Sequence, residues 1–340
     1  MTVLSDMAGV RLRILNLRQE IKQRSDYLIP LRNISEHPRD VLRYAAASIR
    51  AGERCALAII ADIEGPSARA VGAMMAVSND NKYAGYISNG CVDADIARHA
   101  LSALHTQAPK RVRYGAGSPY VDIRLPCGGS VEIVFVPDPK LDILTTVIDT
   151  LDARQAITLS VNEDSQLNIT AHSDCKDNFS LTYAPPLRIA VAGRGEETIS
   201  LARLANAAHY DVIVHSPDMD VLDACSQFGV NGKRLHSISD APDFPDDPWS
   251  AIVCLFHDHE WEADILTTAL NTQAFYIGAM GSRRTHEARL DELRNRNINE
   301  RTLQRIRGPI GLIPSVRDAS KLAISTLAEI ISLYRSQPEQ

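Results

Sequence analysis

Apolar residues recur along the chain at two different spacings, and the change from one to the other divides it. Val41, Leu42, Ala45, Ala46 and Ile49 fall on one helical face and predict a helix over 41–49. The uninterrupted apolar run 55–60 reads as a strand; a turn-rich stretch at 64–69 and a second apolar run over 71–77, broken by Gly72, follow it. Helical spacing returns at Ile96, Ala97, Ala100, Leu101 and Leu104, and alternation predicts a strand at 131–136. Between 141 and 183 the pattern gives one helix and then two or three strands bounded by Asn, Asp and Ser clusters.

Beyond Ala184-Pro185-Pro186, where paired prolines favour extended chain, strand and helix patterns alternate. Strands are predicted at 188–192, 211–215, 234–237, 251–256 and 275–277, most of them followed by helices. A final helix over 319–334 carries its apolar stripe at Ala323, Leu327, Ile330, Ile331 and Tyr334. The expected architecture is α/β. An N-terminal mixed α+β domain spans 1–183, with a polar helix or arm over about 1–38; 184–186 link it to a C-terminal Rossmann-like parallel-sheet domain over 187–340.

Two domains suit 340 residues, a length that exceeds what one core usually serves. A net charge of −6 argues against a phosphate-backbone footprint, so nucleic acid is set aside. No apolar run approaches the roughly 20 residues that span a bilayer, and the opening residues lack a signal-peptide core, so no membrane partner and a cytoplasmic location are expected. Six cysteines, at 55, 91, 127, 175, 225 and 254, form no CxxC pair and are expected to be reduced. Cys55 and Cys254 lie inside strand-like runs and read as core residues.

Several segments could carry chemistry. Gly193-Arg194-Gly195 stands where a dinucleotide fold places its phosphate turn, yet Thr198 occupies the third glycine position, and Glu196 and Glu197 load the helix start with negative charge. The second strand ends in His215-Ser216-Pro217, with Asp218 close by, rather than in a clear ribose-binding acid. NAD(P) binding and a structural glycine turn both remain open readings. Gly278, Gly281, Ser282 and Arg283 offer backbone N–H groups, a hydroxyl and a guanidinium in one loop, suited either to an anion or to a plain helix cap. His257-Asp258-His259-Glu260 invites a metal but lacks a partnered ligand at a recognisable spacing. Cys91, after Gly90 at an expected helix start, and Cys127, before Gly128 and Gly129, are the thiols best placed for soft-metal or sulfur chemistry; a structural role is the competing reading.

Taken in order, these motifs resemble the XdhC/CoxI family. The likeness rests on Gly65-Pro66-Ser67-Ala68-Arg69 with Gly72-Ala73-Met74-Met75, Ile87-Ser88-Asn89-Gly90-Cys91-Val92-Asp93, and Leu125-Pro126-Cys127-Gly128-Gly129. In the second domain it rests on the Gly193 turn, His257-Asp258-His259, Tyr276-Ile277-Gly278 through Gly281-Ser282-Arg283, and Gly308-Pro309-Ile310-Gly311-Leu312. The resemblance implies a xanthine dehydrogenase accessory protein, a maturation factor rather than a catalyst. Such a protein binds the molybdenum cofactor while its terminal sulfur is installed and delivers it to a molybdenum hydroxylase of the xanthine dehydrogenase type. The implied partners are that apo-enzyme and a cysteine desulfurase, and a homodimer is the default assembly. In this account Cys91 and Cys127 line the cofactor site as possible molybdenum contacts, and Ser282, Arg283 and the nearby glycines hold its phosphate. The member is somewhat divergent. Asn89-Gly90-Cys91-Val92-Asp93 stands for the usual Gly-Gly-Cys-Val-Glu, and Ile313-Pro314-Ser315-Val316 for Asp-Ile-Gly-Ala. The alternatives are an NAD(P)-dependent oxidoreductase and a protein-binding scaffold.

Overall fold

A computed structural model describes residues 29–30, 36–90, 92–108, 110–115, 128–170 and 179–334. The chain divides into two compact units, Met1–Ala184 and Pro185–Gln340. Most of the expected N-terminal helix or arm over 1–38 lies outside the described residues.

The first unit contains, in chain order, β1 (Ile29–Pro30), α1 (Pro38–Arg50), β2 (Cys55–Glu64), β3 (Met74–Ser78), β4 (Lys82–Gly85), α2 (Asp93–Thr106), β5 (Lys110–Gly115), β6 (Ser130–Pro137), α3 (Leu141–Asp152), β7 (Ile157–Val161), β8 (Leu167–Thr170) and β9 (Phe179–Tyr183). Six of these strands form one sheet in the order β1-β4-β3-β2-β6-β5, and β8-β7-β9 form a smaller one. The central strands are apolar at nearly every position because both faces of the sheet are covered. Along β2, Cys55, Leu57 and Ile59 face a core shared with α1, α3 and the small sheet; Ala56, Ala58 and Ile60 face α2. Helix α1 starts at Pro38, a residue that fits the first helical turn, and the ring Nδ1 of His37 accepts the Arg39 N–H at 3.1 Å.

The second unit contains β10 (Arg188–Gly193), α4 (Gly195–Ala207), β11 (Asp211–Ser216), α5 (Met219–Ser226), β12 (Asn231–Arg234), β13 (Ser250–Leu255), α6 (His259–Leu270), β14 (Tyr276–Ala279), α7 (Arg283–Asn295), α8 (Glu300–Leu303), β15 (Ile306–Arg307) and α9 (Ala319–Tyr334). Its strands are all parallel, in the order β12-β11-β10-β13-β14-β15. This is the doubly wound Rossmann arrangement, which reverses direction of build between β10 and β13. The same alternation holds here: Ala190, Ala192, Ile252 and Cys254 face one helical layer, and Ile189, Val191, Ala251 and Val253 the other.

Two strand expectations need correction. The apolar run 71–77 becomes strand only from Met74, because Gly72 holds a positive φ of 85° and turns the chain first. The third strand of the second unit lies at Asn231–Arg234 and not at 234–237. It is an edge strand paired only with β11, and all four of its residues are exposed, so no apolar pattern marks it.

Candidate functional site

In an open α/β sheet, ligands bind outside the carboxyl ends of the strands near the point where strand order reverses. A cleft of about 910 Å³ opens there in the second unit, within the size range of small-molecule sites. It is lined by the ends of β13 and β14 (Phe256, His257 and Met280), the turn Gly281-Ser282-Arg283 and the loop 309–318. Glu197 on α4 completes one side.

The turn Gly281-Ser282-Arg283 is held from beneath. Arg289 and Glu262 are buried and pair bidentately at 2.8 and 3.1 Å, and Arg289 Nη2 also donates to the Met280 carbonyl at 2.6 Å. Gly281 has φ 136°, and a Cβ added there would lie 2.9 Å from Thr285 Cγ2. Ser282 caps α7, its Oγ accepting the Thr285 N–H at 3.1 Å. The helix then opens with Arg283 and Arg284 and has no acid in its first turn, placing cations at the positive end of the dipole. Neither Arg283 nor Arg317, on the far loop, makes a hydrogen bond or ion pair among the described residues.

The loop 309–318 is anchored by α9. The buried Glu329 carboxylate accepts the Tyr276 hydroxyl at 2.9 Å and the Gly311 N–H at 2.6 Å, and Ser325 Oγ accepts the Ile313 N–H at 2.7 Å. Burial and the Glu329 carboxylate beside it push the Tyr276 hydroxyl far above its ordinary range, so it stays a donor. The divergent Ile313-Pro314-Ser315-Val316 segment lies in this loop, with Leu312 and Ile313 exposed.

The other turn at the switch point has a different character. Gly193 ends β10, where a Cβ would lie 2.7 Å from Leu255 Cβ, and Gly195 opens α4 at φ 68°. Between them Arg194 reaches over to Asp218 and pairs at 2.7 and 3.0 Å. Asp218 is the acid nearest a ribose-binding position, and Arg194 holds its carboxyl below the usual range. Glu196 and Glu197 follow in the first turn of α4. These residues fit a dinucleotide poorly: the ribose acid is already paired and the helix start is acidic. Gly278 lies within β14, where a Cβ would meet Tyr276 and Ile310 at 2.6 and 2.7 Å, so its role is close packing.

In the first unit, three motif segments meet at one end of the larger sheet. The Arg69 guanidinium lies 4.4 Å from the Tyr86 ring centre, and both residues bind Glu36, at 2.7 and 2.6 Å. Gly65 approaches Gly129 so closely that a Cβ on it would lie 3.4 Å from the Gly129 Cα. At the end of β5, the Tyr114 hydroxyl donates to Asp95 in the first turn of α2 at 2.8 Å.

Asp93 is the hub of the turn between Tyr86 and α2. Its buried carboxylate accepts the N–H groups of Ile87, Ser88 and Gly90 at 3.0, 2.7 and 2.6 Å and the Ser88 hydroxyl at 2.9 Å. Asn89 and Gly90 take positive φ of 57° and 101°, conformations open to Asn and Gly at little cost. Inspection of the sequence picks out the turn but not Asp93 as its centre; the signal was a carboxylate just inside the helix that follows.

Cys91 and Cys127 lie outside the described residues, as does Cys175. Cys55, Cys225 and Cys254 are buried in cores, and burial pushes the Cys55 thiol up to about 12, an inert form. Among the described residues, no three His, Cys, Asp or Glu side chains group as a metal would require. His257 lies 3.6 Å from Glu197 and is largely exposed. No helix among the described residues is long and apolar enough to cross a membrane.

Residues 189–330 match the family model described as the XdhC Rossmann domain, and residues 48–115 that of the XdhC and CoxI family. The chain is 31% identical over 311 residues to the molybdenum cofactor insertion chaperone PaoD of Escherichia coli (strain K12), an alignment covering 90% of this chain and 92% of that protein. Its fold is similar to that of a crystal structure described as a xanthine dehydrogenase from Bacillus halodurans, with a TM-score of 0.71 at 20% identity over 88% of this chain and 96% of that one. Matches in both halves and a relative alike over nearly the full length lead to one conclusion: the chain belongs to the XdhC/CoxI family.

Proposed function

We propose that this protein is a maturation factor that carries the molybdenum cofactor, holds it while its terminal sulfur is installed, and passes it to an apo molybdenum hydroxylase of the xanthine dehydrogenase type. A cysteine desulfurase is the sulfur source in this reading, and the protein works in the cytoplasm as a homodimer. The observation that carries the reading is the meeting of segments 65–69, 86–90, 92–95 and 128–130 at one end of the first sheet, in a chain alike over most of its length to a molybdenum cofactor insertion chaperone.

In the sequence Cys91 stands directly after Gly90 and Cys127 directly before Gly128 and Gly129, so each is one residue from a segment that reaches that end of the sheet. Thiolates are soft donors suited to a molybdenum centre or to sulfur in transit. Gly90 and Gly128 face open space and leave room for close approach, whereas Gly129 lets its backbone pack against Pro66, where a Cβ would lie 2.1 Å from the carbonyl oxygen, and so shapes the site from behind. In the second unit, Gly281, Ser282 and Arg283 hold the cofactor's phosphate, a site the unpaired Arg283 supports. Gly193, Gly195 and Gly278 shape the sheet's carboxyl edge rather than touch cargo.

Cys91→Ala and Cys127→Ala variants, loaded anaerobically with cofactor and offered to apo molybdenum hydroxylase, test the reading. Each variant is expected to retain less molybdenum and to activate the recipient more slowly than the parent. A variant that loads and activates normally removes that cysteine from the account.

A further inference from the structure

The second unit has two places where a strand, a glycine turn and a helix could receive a phosphate, and they are equipped in opposite ways. At the Gly193 turn, the arginine is already paired with Asp218 and two glutamates crowd the helix start. At the other, two arginines with no partner among the described residues line one cleft; of the two acids on its wall, Asp318 is paired with Lys321 and Glu197 stands on the opposite side, on α4. Their carriers are fixed independently: the Arg283 turn by the buried Arg289–Glu262 pair through the Met280 carbonyl, the Arg317 loop by Glu329 and Ser325.

We propose that the Rossmann-like half binds a phosphate ester in the cleft beneath the loop 309–318, through Arg283 and Arg317, and not on its glycine turn. The ligand class follows from the lining. Two guanidiniums suit a doubly charged phosphate, to which each can donate paired N–H bonds. Phe256, Met280, Ile310 and Leu322 supply apolar wall for a flat organic body, and a volume of about 910 Å³ exceeds what inorganic phosphate needs. Arg317 is the addition that neither the family likeness nor the pattern of glycines singles out. The inference rests on the maturation reading only for the identity of the ester, which there is the cofactor's pterin phosphate; a free nucleotide carries the same chemistry.

The test uses the full-length chain with three probes: inorganic pyrophosphate, the oxidised phosphorylated pterin released from molybdenum cofactor, and the same pterin after phosphatase treatment. Both tryptophans, Trp249 and Trp261, belong to the second unit, and Trp261 stacks on Phe256 of the cleft at 5.6 Å between ring centres, so tryptophan emission reports occupancy. Pyrophosphate and the phosphorylated pterin are expected to bind. R283Q and R317Q each weaken both by about tenfold, and R194Q leaves them within about twofold. Removing the pterin phosphate weakens binding to the parent chain by about tenfold, and the double variant R283Q/R317Q then causes no further loss.

Equal affinity of the parent chain and the double variant for pyrophosphate and phosphorylated pterin overturns the proposal, as does binding abolished by R194Q. Failure of both probes to bind the parent chain overturns it too. Arg283 and Arg317 are exposed and Arg194 is half-buried, and unchanged unfolding of each variant confirms that the cleft itself is intact. If pyrophosphate binds through both arginines while the protein carries no molybdenum in cells, the cleft stands and the maturation reading falls.

Discussion

The turns after β10 and β14 are the same device built twice, a parallel strand and a glycine turn leading into a helix, and they differ in where their arginine goes. Arg194 closes onto Asp218 across the top of the sheet, while Arg283 stays unpaired beside a cleft. The starts of the two helices differ in the same sense, with Glu196 and Glu197 on α4 and with Arg283 and Arg284 on α7. A helix N-terminus attracts anions wherever it occurs. The comparison teaches that the neighbouring charges and their partners decide whether that attraction is available to a ligand.

If the open turn is held by its buried ion pair, Arg289→Ala should show the largest effect. Removing one partner leaves Glu262 buried and uncompensated, and we expect a loss of about 3–5 kcal/mol in denaturant unfolding followed by tryptophan emission. A loss below about 1 kcal/mol would mean that the pair does not carry the turn.

The closed side should betray itself by pH. His215, at the end of β11, is 1% exposed, and burial lowers its pKa to about 4. The unfolded chain takes up this proton near pH 6.5 and the folded chain only near 4. Stability from this group is therefore present above about pH 6.5 and is lost as pH falls toward 4, by about 3 kcal/mol in all. Unfolding of the parent and His215→Phe chains across that window should show the slope reduced in the variant.

The glycines sharpen the contrast further. Gly281→Ala meets both a positive φ and Thr285, whereas Gly195→Ala meets a positive φ with only the Glu197 carboxylate at 3.4 Å. We expect about 1–2 kcal/mol for Gly195→Ala and a larger cost for Gly281→Ala, read from the same unfolding curves. The smallest effect belongs to Arg194→Ala. Its ion pair is 42% and 35% exposed, so its loss should change stability by about 0–1 kcal/mol, the solvent screening most of the attraction. An effect as large as that of Arg289→Ala would erase the distinction between the two turns.

The central strands and their helices were legible because both sheet faces are buried, and continuous apolar runs such as β2 and β13 follow from that. The half-exposed strands β4 and β5, Lys-Tyr-Ala-Gly and Lys-Arg-Val-Arg-Tyr-Gly, escape the same reading, as does the fully exposed edge strand β12. At the candidate site, the position of both turns could be read from glycines after strands. What each turn does could not, since Arg194 meets Asp218 from 24 residues away and Arg289 meets Glu262 from 27. Arg317 carries no signal in the sequence for a related reason: it follows the segment where this chain departs from its family, and only the folded loop sets it on the cleft.

The most direct test of the account is to purify the protein anaerobically from cells that make molybdenum cofactor and to measure molybdenum and fluorescent oxidised pterin per chain. Near-stoichiometric amounts of both are expected. Neither molybdenum nor pterin on the chain, even after incubation with free cofactor, would contradict it.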